Sequence, residues 1–375
     1  MTSFTAPQTF THGEPSRIGV LICNLGTPAA PDTASVRRYL AEFLSDKRVV
    51  ELTDWIWKPI LHGIILRFRP ARSAAAYREI WGASGSPLLE ISERQTEAVD
   101  KLVNDDSNPL FSVALAMRYG EPSIAKALQN FRQAQVRKII VLPLYPQYAA
   151  ATTGSVFDAV AKELSHWRWV PEIHFINEYY SDERYLDALA ESIEQHWRAN
   201  GQAERLIMSF HGIPEAYFLA GDPYFCQCQA TGREVARRLG LAEDKWLITF
   251  QSRVGRQQWL QPYTDQTVQQ LAEQGVKKLE VVCPGFSADC LETLEEIAMQ
   301  NAEIFRHHGG DTLTYIPALN DSANHVRFLS DLILEHTQPW REKMSGQDGA
   351  DQRRQIKERA LALGKSDFPG VEIGV

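Results

Sequence analysis

Four segments from the first half of this chain recur, in the same order, in the second half. IGVLICNLGTP (18–28) returns as RLIMSFHGIP (205–214), and VALAMRYG (113–120) returns as ITFQSRVG (248–255), with Arg118 against Arg253. VRKIIVLPLYP (136–146) returns as VKKLEVVCPGF (276–286), and HFINEYYSDERYLDAL (174–189) as TYIPALNDSANHVRFL (314–329). The last two pairs share one offset of 140 positions (276 − 136 and 314 − 174). Each block carries a short apolar run that gives way to a loop, often at Gly or Pro, as a buried strand does at its end. Helix-patterned stretches at 121–134, 156–165, 262–274 and 290–305 separate them. That alternation predicts parallel sheets with crossover helices, hence an α/β chain of two similar doubly wound halves. Chance likeness of buried strands explains any one block, but not four in order.

The length of 375 residues suits two domains. A polar tail is expected over 1–16, a first domain over 17–185, a second over 186–345 and a polar tail over 346–375. The last helix of the second domain is expected to pack back on the first. A net charge of -8 excludes the basic footprint of a nucleic-acid binder. Five cysteines (Cys23, Cys226, Cys228, Cys283 and Cys290) form an odd set without zinc-finger spacing, which fits a reduced, cytoplasmic protein. The start of the chain lacks the apolar core of a signal peptide, and no run of about 18 apolar residues is present.

The repeat exposes an insertion. Gly26 precedes Arg118 by 92 positions (118 − 26), whereas Gly212 precedes Arg253 by 41 (253 − 212). The first half therefore carries an extra segment, about 45–85, at the carboxyl end of a strand, where open α/β sheets bind ligands. Within WIWKPILHGIILRFRPARSAAAYREIW (55–81), Trp55, Trp57, Ile64 and Phe68 alternate with Lys58, Arg67, Arg69, Arg72 and Arg78. Apolar bulk beside basic tips suits a lip over a large apolar ligand with acidic groups. It equally suits a membrane surface or an ordinary packed helical insertion.

Candidate reactive residues stand at strand ends. His211 follows the apolar run LIMSF and precedes Gly-Ile-Pro, a fixed and ligand-facing place for a base. A lone histidine is more often structural, so position alone does not decide its role. In SADCLETLEEIAMQNAE (287–303), Asp289, Glu292, Glu296 and Glu303 fall along one stripe of an α-helix. The stripe reads either as a solvated acidic face or as a carboxylate track for a cation or departing protons. The first turn of such a helix points into the crevice, which favours Glu292 over Glu303. Arg118 and Tyr119 end the second strand, while Tyr145, Gln147 and Tyr148 follow the third, offering a guanidinium fork and phenols. The loop AAATTGS (149–155) lacks the Lys of a P-loop and the full G-x-G-x-x-G pattern, so no nucleotide site is expected.

Taken together, LICNLGTPAAP, FLSD (43–46), YREIWGASGSPL, AMRYGEPSI, LPLYPQYAAATTGS, MSFHGIPEAY, GDPYFCQC, FQSRVGRQQWLQPYTD and CPGFSADCLETLEEI resemble the ferrochelatase family, from about Arg17 to about Trp340. The resemblance implies two Rossmann-like domains with a porphyrin cleft between them and a lip from the first. It implies insertion of Fe²⁺ into protoporphyrin IX, the last step of haem biosynthesis, with His211 and Glu292 as proton acceptor and metal contact. Glu296 would continue an acidic path, Arg118 and Tyr119 would lie near the opposite face of the macrocycle, and Tyr148 and Ser252 would line the pocket. Leu25 resembles members that use protoporphyrin, whereas those using coproporphyrin typically have Tyr there. Members with an iron–sulfur cluster often hold it with cysteines near the C-terminus. None follows Cys290, so neither a cluster nor any other resident cofactor is expected.

These residue types suit the chemistry. A free-base porphyrin must lose two pyrrolic protons before it holds Fe²⁺. A neutral imidazole accepts a proton, and carboxylates stabilise or remove it. His and carboxylate also bind Fe²⁺ labilely, where thiolates would hold it too long. A related chelatase using another metal or coproporphyrin, and a non-catalytic tetrapyrrole carrier, are the alternatives. The carrier has no need of a base facing the ring. Peripheral contact with the inner face of a membrane is a further expectation from the lip.

Overall fold

The computed structural model of the protein describes residues 4–6, 17–104, 109–255, 257–345 and 347–362. Among the described residues, eight strands form two four-stranded parallel sheets: β1 (Ile18–Gly26), β2 (Phe111–Tyr119), β3 (Lys138–Pro143) and β4 (Glu172–Phe175) in the first, β5 (Arg205–His211), β6 (Trp246–Gln251), β7 (Lys278–Val282) and β8 (Thr312–Ile316) in the second. Their orders are β2-β1-β3-β4 and β6-β5-β7-β8, the same topology twice. Helices cover both faces, which is why β1 and β5 read as unbroken apolar runs and not as alternating ones. The α/β repeat expected from the sequence is therefore the fold.

Register corrects one detail of the repeat. Ile22 pairs with Leu115 and Leu142, and Met208 pairs with Ile248 and Val282, so those trios correspond. Counting three on from Leu115 and Ile248, Arg118 is matched by Gln251 and not by Arg253. The cause lies in the following loops. Met117 N bonds Pro122 O at 2.6 Å, whereas Phe250 N reaches forward to Pro262 O at 2.8 Å, so the second loop is longer and Arg253 belongs to it. There Arg253 pairs with Asp265 at the surface.

One buried cluster spans both halves, from Ile18, Ile140 and Leu142 to Met208, Phe210 and Val282, with Leu189, Ile193, Leu329 and Ile333 between them. Each such fully buried side chain contributes about 1.5–3 kcal/mol over its exposed state. The helix Glu183–Asn200, capped by Asp182, runs across position 185/186 as a continuous connector. The helix Ala323–Ser345 leans on the first sheet, where Trp340 Nε1 donates to Glu172 Oε1 at 2.9 Å. A further helix, Gln347–Ala362, occupies part of the segment read as a polar tail. At the other end Thr5 bonds His166 and Arg168, and most of the first 16 residues lie outside the described ones.

The insertion is helical. It comprises Asp54–Ile60, a wide π-type turn over Leu61–Ile65, and Leu66–Ile80. Leu61, Leu66, Ala74 and Tyr77 face inward onto Val36 and Leu40. Trp55 and Phe68 are 78% and 74% exposed. Among the described residues no helix is long and apolar enough to cross a membrane.

Candidate active site

The two sheets present matching strand ends. Leu25, the last residue of β1 before Gly26, stands where His211 closes β5, and Tyr119 closes β2 where Ser252 follows β6. At Gly26 (φ +108°) a Cβ would lie 1.8 Å from the Tyr119 carbonyl oxygen, so only glycine lets β1 end this close to β2. Leu25 packs against both the lip cluster, with Tyr39, Tyr77 and Leu291, and a smaller one with Ala288 and Cys290. It stands where the lip meets the second half.

His211 Nδ1 lies 2.6 Å from the Gly212 carbonyl oxygen. A carbonyl only accepts, so in the neutral ring Nδ1 carries the hydrogen and Nε2 keeps its lone pair. That is the state a proton acceptor requires.

The acidic helix departs from α geometry. Glu292–Asn301 is π-helical, with i→i+5 bonding, before an α-helix over Ala302–His307. The wider turn breaks the α-helical stripe. Glu292 and Glu296 are half-buried, while Glu303 is exposed and lies 3.4 Å from His307. Asp289 leaves the track altogether. It is buried and accepts from Thr293 Oγ1, Tyr315 OH, Ala318 N and Asn320 Nδ2, which is a structural knot.

Glu296 is fixed by the end of β6. Its Oε1 accepts from Ser252 N at 2.8 Å, and its Oε2 accepts from the Ser252 hydroxyl. Burial pushes the Glu296 carboxyl above its ordinary value, and the charge of Glu292 adds to that, against the Ser252 bonds and the pull of His211. The three groups thus share one electrostatic neighbourhood. Buried Gln251 links them further, since Nε2 donates to the Glu292 carbonyl at 2.8 Å and Oε1 accepts from Ser209 at 2.7 Å. From the lip comes Arg69, whose guanidinium is pulled down by burial and held up by Glu292.

Comparisons with known proteins agree with this architecture. A family model described as Ferrochelatase matches residues 17–337. The chain belongs to the ferrochelatase family. It is 52% identical to the ferrochelatase of Thioalkalivibrio sulfidiphilus over 97% of this chain and 100% of that one. It is 51% identical to the ferrochelatase of Nitrosococcus oceani over 96% and 99%. Among solved structures, the sirohydrochlorin chelatase SirB of Bacillus subtilis subspecies spizizenii, in complex with cobalt, shares the fold. Its TM-score is 0.50 at 11% identity, covering 88% of this chain and 98% of that one. As a ferrochelatase-family member the chain is an enzyme of the metal-chelating lyase class.

Within this ferrochelatase fold the residues singled out from sequence divide into separate groups. His211, Glu292, Glu296 and Ser252 gather where the second sheet ends. Arg118 and Tyr119 lie in a network on the first sheet, and Tyr119 is wholly buried beneath Phe43. Tyr148 has its backbone N–H bonded to Gln227 Oε1 at 2.6 Å, and its phenol lies against Gly154 beside Arg48. A cavity of about 310 Å³ opens beside Trp259, Phe218, Phe225 and Leu260, and His211 and Glu292 are not in its walls. Sequence reasoning named Arg69 among the basic tips of the lip without linking it to Glu292, and it missed Gln251 and Asp46. Of these only Asp46 carried a signal, as the one acid of FLSD at the root of the insertion.

Proposed function

We propose that the protein inserts Fe²⁺ into protoporphyrin IX to form protohaem. In this reading the His211 Nε2 takes up a pyrrole proton and contacts the incoming metal together with Glu292. Glu296 continues the acidic path, and its raised affinity for a proton suits it to relay protons away. Leu25 meets the vinyl edge of the ring, and Arg118, Tyr119, Tyr148 and Ser252 form the surroundings of the pocket. No resident cofactor or iron–sulfur cluster takes part. The observation that carries the reading is the convergence of a histidine whose Nδ1 is held by the Gly212 carbonyl with two carboxylates where the second sheet ends, facing a lip that supplies Arg69. A carrier would need no such base.

The expected localisation is cytoplasmic, with the lip touching an anionic membrane. Exposed Trp55, Ile64 and Phe68 beside Lys58, Arg67 and Arg72 support that contact. The direct test of the chemistry is His211→Ala, assayed for Fe²⁺ insertion and, by fluorescence quenching, for porphyrin binding. Turnover should fall by at least about a hundredfold with binding retained, the scale of losing a general base. Near-normal turnover would overturn the role given to His211.

A further inference from the structure

The root of the lip carries a carboxylate, Asp46, that is bonded to the end of the first sheet. Asp46 Oδ2 accepts from Arg118 Nη2 at 2.5 Å, from Ser155 Oγ at 2.5 Å and from Tyr119 OH at 2.9 Å, while Oδ1 accepts from Arg48 N at 2.7 Å. Arg118 is braced from a second side, its Nε donating to Ser155 Oγ at 2.6 Å and to Ser155 O at 3.0 Å. Its guanidinium carbon sits 4.4 Å over the Tyr119 ring. The Asp46 side chain is 8% exposed and that of Arg118 is 18% exposed. The proton count closes. The hydroxyls of Ser155 and Tyr119 each give their one hydrogen to Asp46, and Ser155 Oγ accepts from Arg118.

We infer that Asp46 is a positioning residue for tetrapyrrole binding: it holds the Arg118 guanidinium in one orientation at the cleft and locks the start of the lip to the end of β2. The inference rests on the proposed placement of Arg118 beside the ring. Two physical points support it. A buried ion pair whose carboxylate accepts four hydrogen bonds fixes geometry far better than an exposed one. Preorganised binding groups then save the ordering that a loose guanidinium would undergo when the ligand arrives. Burial tends to raise the Asp46 carboxyl, but the bonds from Ser155, Arg48 and Tyr119 and the charge of Arg118 outweigh it, so it lies below the usual carboxylate range and stays charged. The pairing also changes the part Arg118 plays. Its charge is already neutralised within the protein, so it supplies shape and a directed N–H and not a free cation.

The test is porphyrin titration by fluorescence quenching, which needs no turnover and so stands whether or not His211 is the base. Asp46→Asn keeps an acceptor for Arg48 N but presents an amide to three donors. Its porphyrin Kd should rise about tenfold, the scale of one lost charge-assisted hydrogen bond. Arg118→Met should weaken binding similarly, and the double variant should be no weaker than either single one, because both remove one unit. Ser155→Ala, milder to the fold, should raise Kd about threefold, since it removes the hydroxyl's bonds to Asp46 and Arg118 but leaves the ion pair between them and the Ser155 carbonyl bond in place, and reports even if Asp46→Asn does not fold. An unchanged Kd in Asp46→Asn or in Ser155→Ala would overturn the inference. Multiplying effects of Asp46→Asn and Arg118→Met would do so too. Loss of turnover in His211→Ala with this pattern intact would leave both readings standing. Retained turnover there would remove only the role of His211.

Discussion

Acidification should destabilise this protein through one buried histidine. His325 is 1% exposed, on the helix Ala323–Ser345. Its Nδ1 lies 2.7 Å from the Asn320 carbonyl oxygen and its Nε2 lies 3.2 Å from Ser287 Oγ. The ring therefore donates from Nδ1 and accepts at Nε2, which is the neutral form. Burial pushes its pKa down to about 4, against a smaller upward pull from the Asn320 carbonyl. The unfolded chain, near 6.5, binds a proton that the folded chain refuses between those values. Stability contributed by the neutral ring is thus complete above pH 6.5 and is lost as pH falls towards 4. At about 1.36 kcal/mol per pH unit, the loss across that window is about 3 kcal/mol, a large share of the 5–15 kcal/mol typical of a domain.

The site lies close to the acidic helix. Gln95 Nε2, from the first half, donates to both Ser287 O and Asn320 O, the same corner that holds His325. Urea unfolding of the native chain and of His325→Gln, followed by circular dichroism from pH 7 to pH 4, measures the effect. The variant should be weaker at pH 7 by about 1–3 kcal/mol, because its amide cannot make both bonds in place. It should then lose less on acidification, so the two curves converge by about 3 kcal/mol. Carboxylates and the other histidines titrate in both proteins and cancel in the difference. Parallel curves would refute the argument, because they would mean that His325 takes up its proton equally in both states.

Three further outcomes can be checked. Glu292→Gln should abolish metal insertion while Glu303→Gln changes it by less than about twofold, as exposed substitutions do, and equal losses in a steady-state assay would mean that the acidic residues act as a diffuse field. Vesicles containing anionic lipid should float the protein at low salt and release it at high salt, with Trp55→Ala and Phe68→Ala weakening the interaction, and no flotation at low salt would remove the membrane from the account. In anaerobic competition for limiting enzyme, protoporphyrin IX should outpace coproporphyrin III by a factor equivalent to about 1–3 kcal/mol, the reach of one apolar contact at Leu25. Preference for coproporphyrin III would transfer the chemistry to the other ring.

The topology could be read along the chain because it is carried by neighbours in sequence. Apolar runs that fit a strand buried on both faces, and the helical patterns between them, are local patterns, and their repetition dictated two parallel sheets of one order. The strand-end position of His211 and the helix opening at Glu292 followed from the same patterns. The slip that set Arg118 against Arg253 came from a loop, where composition does not report register and only the pairing of Leu115 and Ile248 with their neighbours does.

What tertiary structure alone decided depends on contacts between distant segments. The π-helical path of Glu292–Asn301 is invisible in its sequence, because α and π turns use the same residue types and differ in which carbonyl each N–H meets. That choice took Glu303 off the stripe, while tertiary contacts tied Asp289 to Tyr315 and Asn320. Likewise nothing in FLSD announces that Asp46 will face Arg118, which is 72 residues away. A carboxylate becomes a structural pin, a proton relay or a solvated charge according to how many donors surround it and how little water remains. Those quantities exist only once the chain is folded.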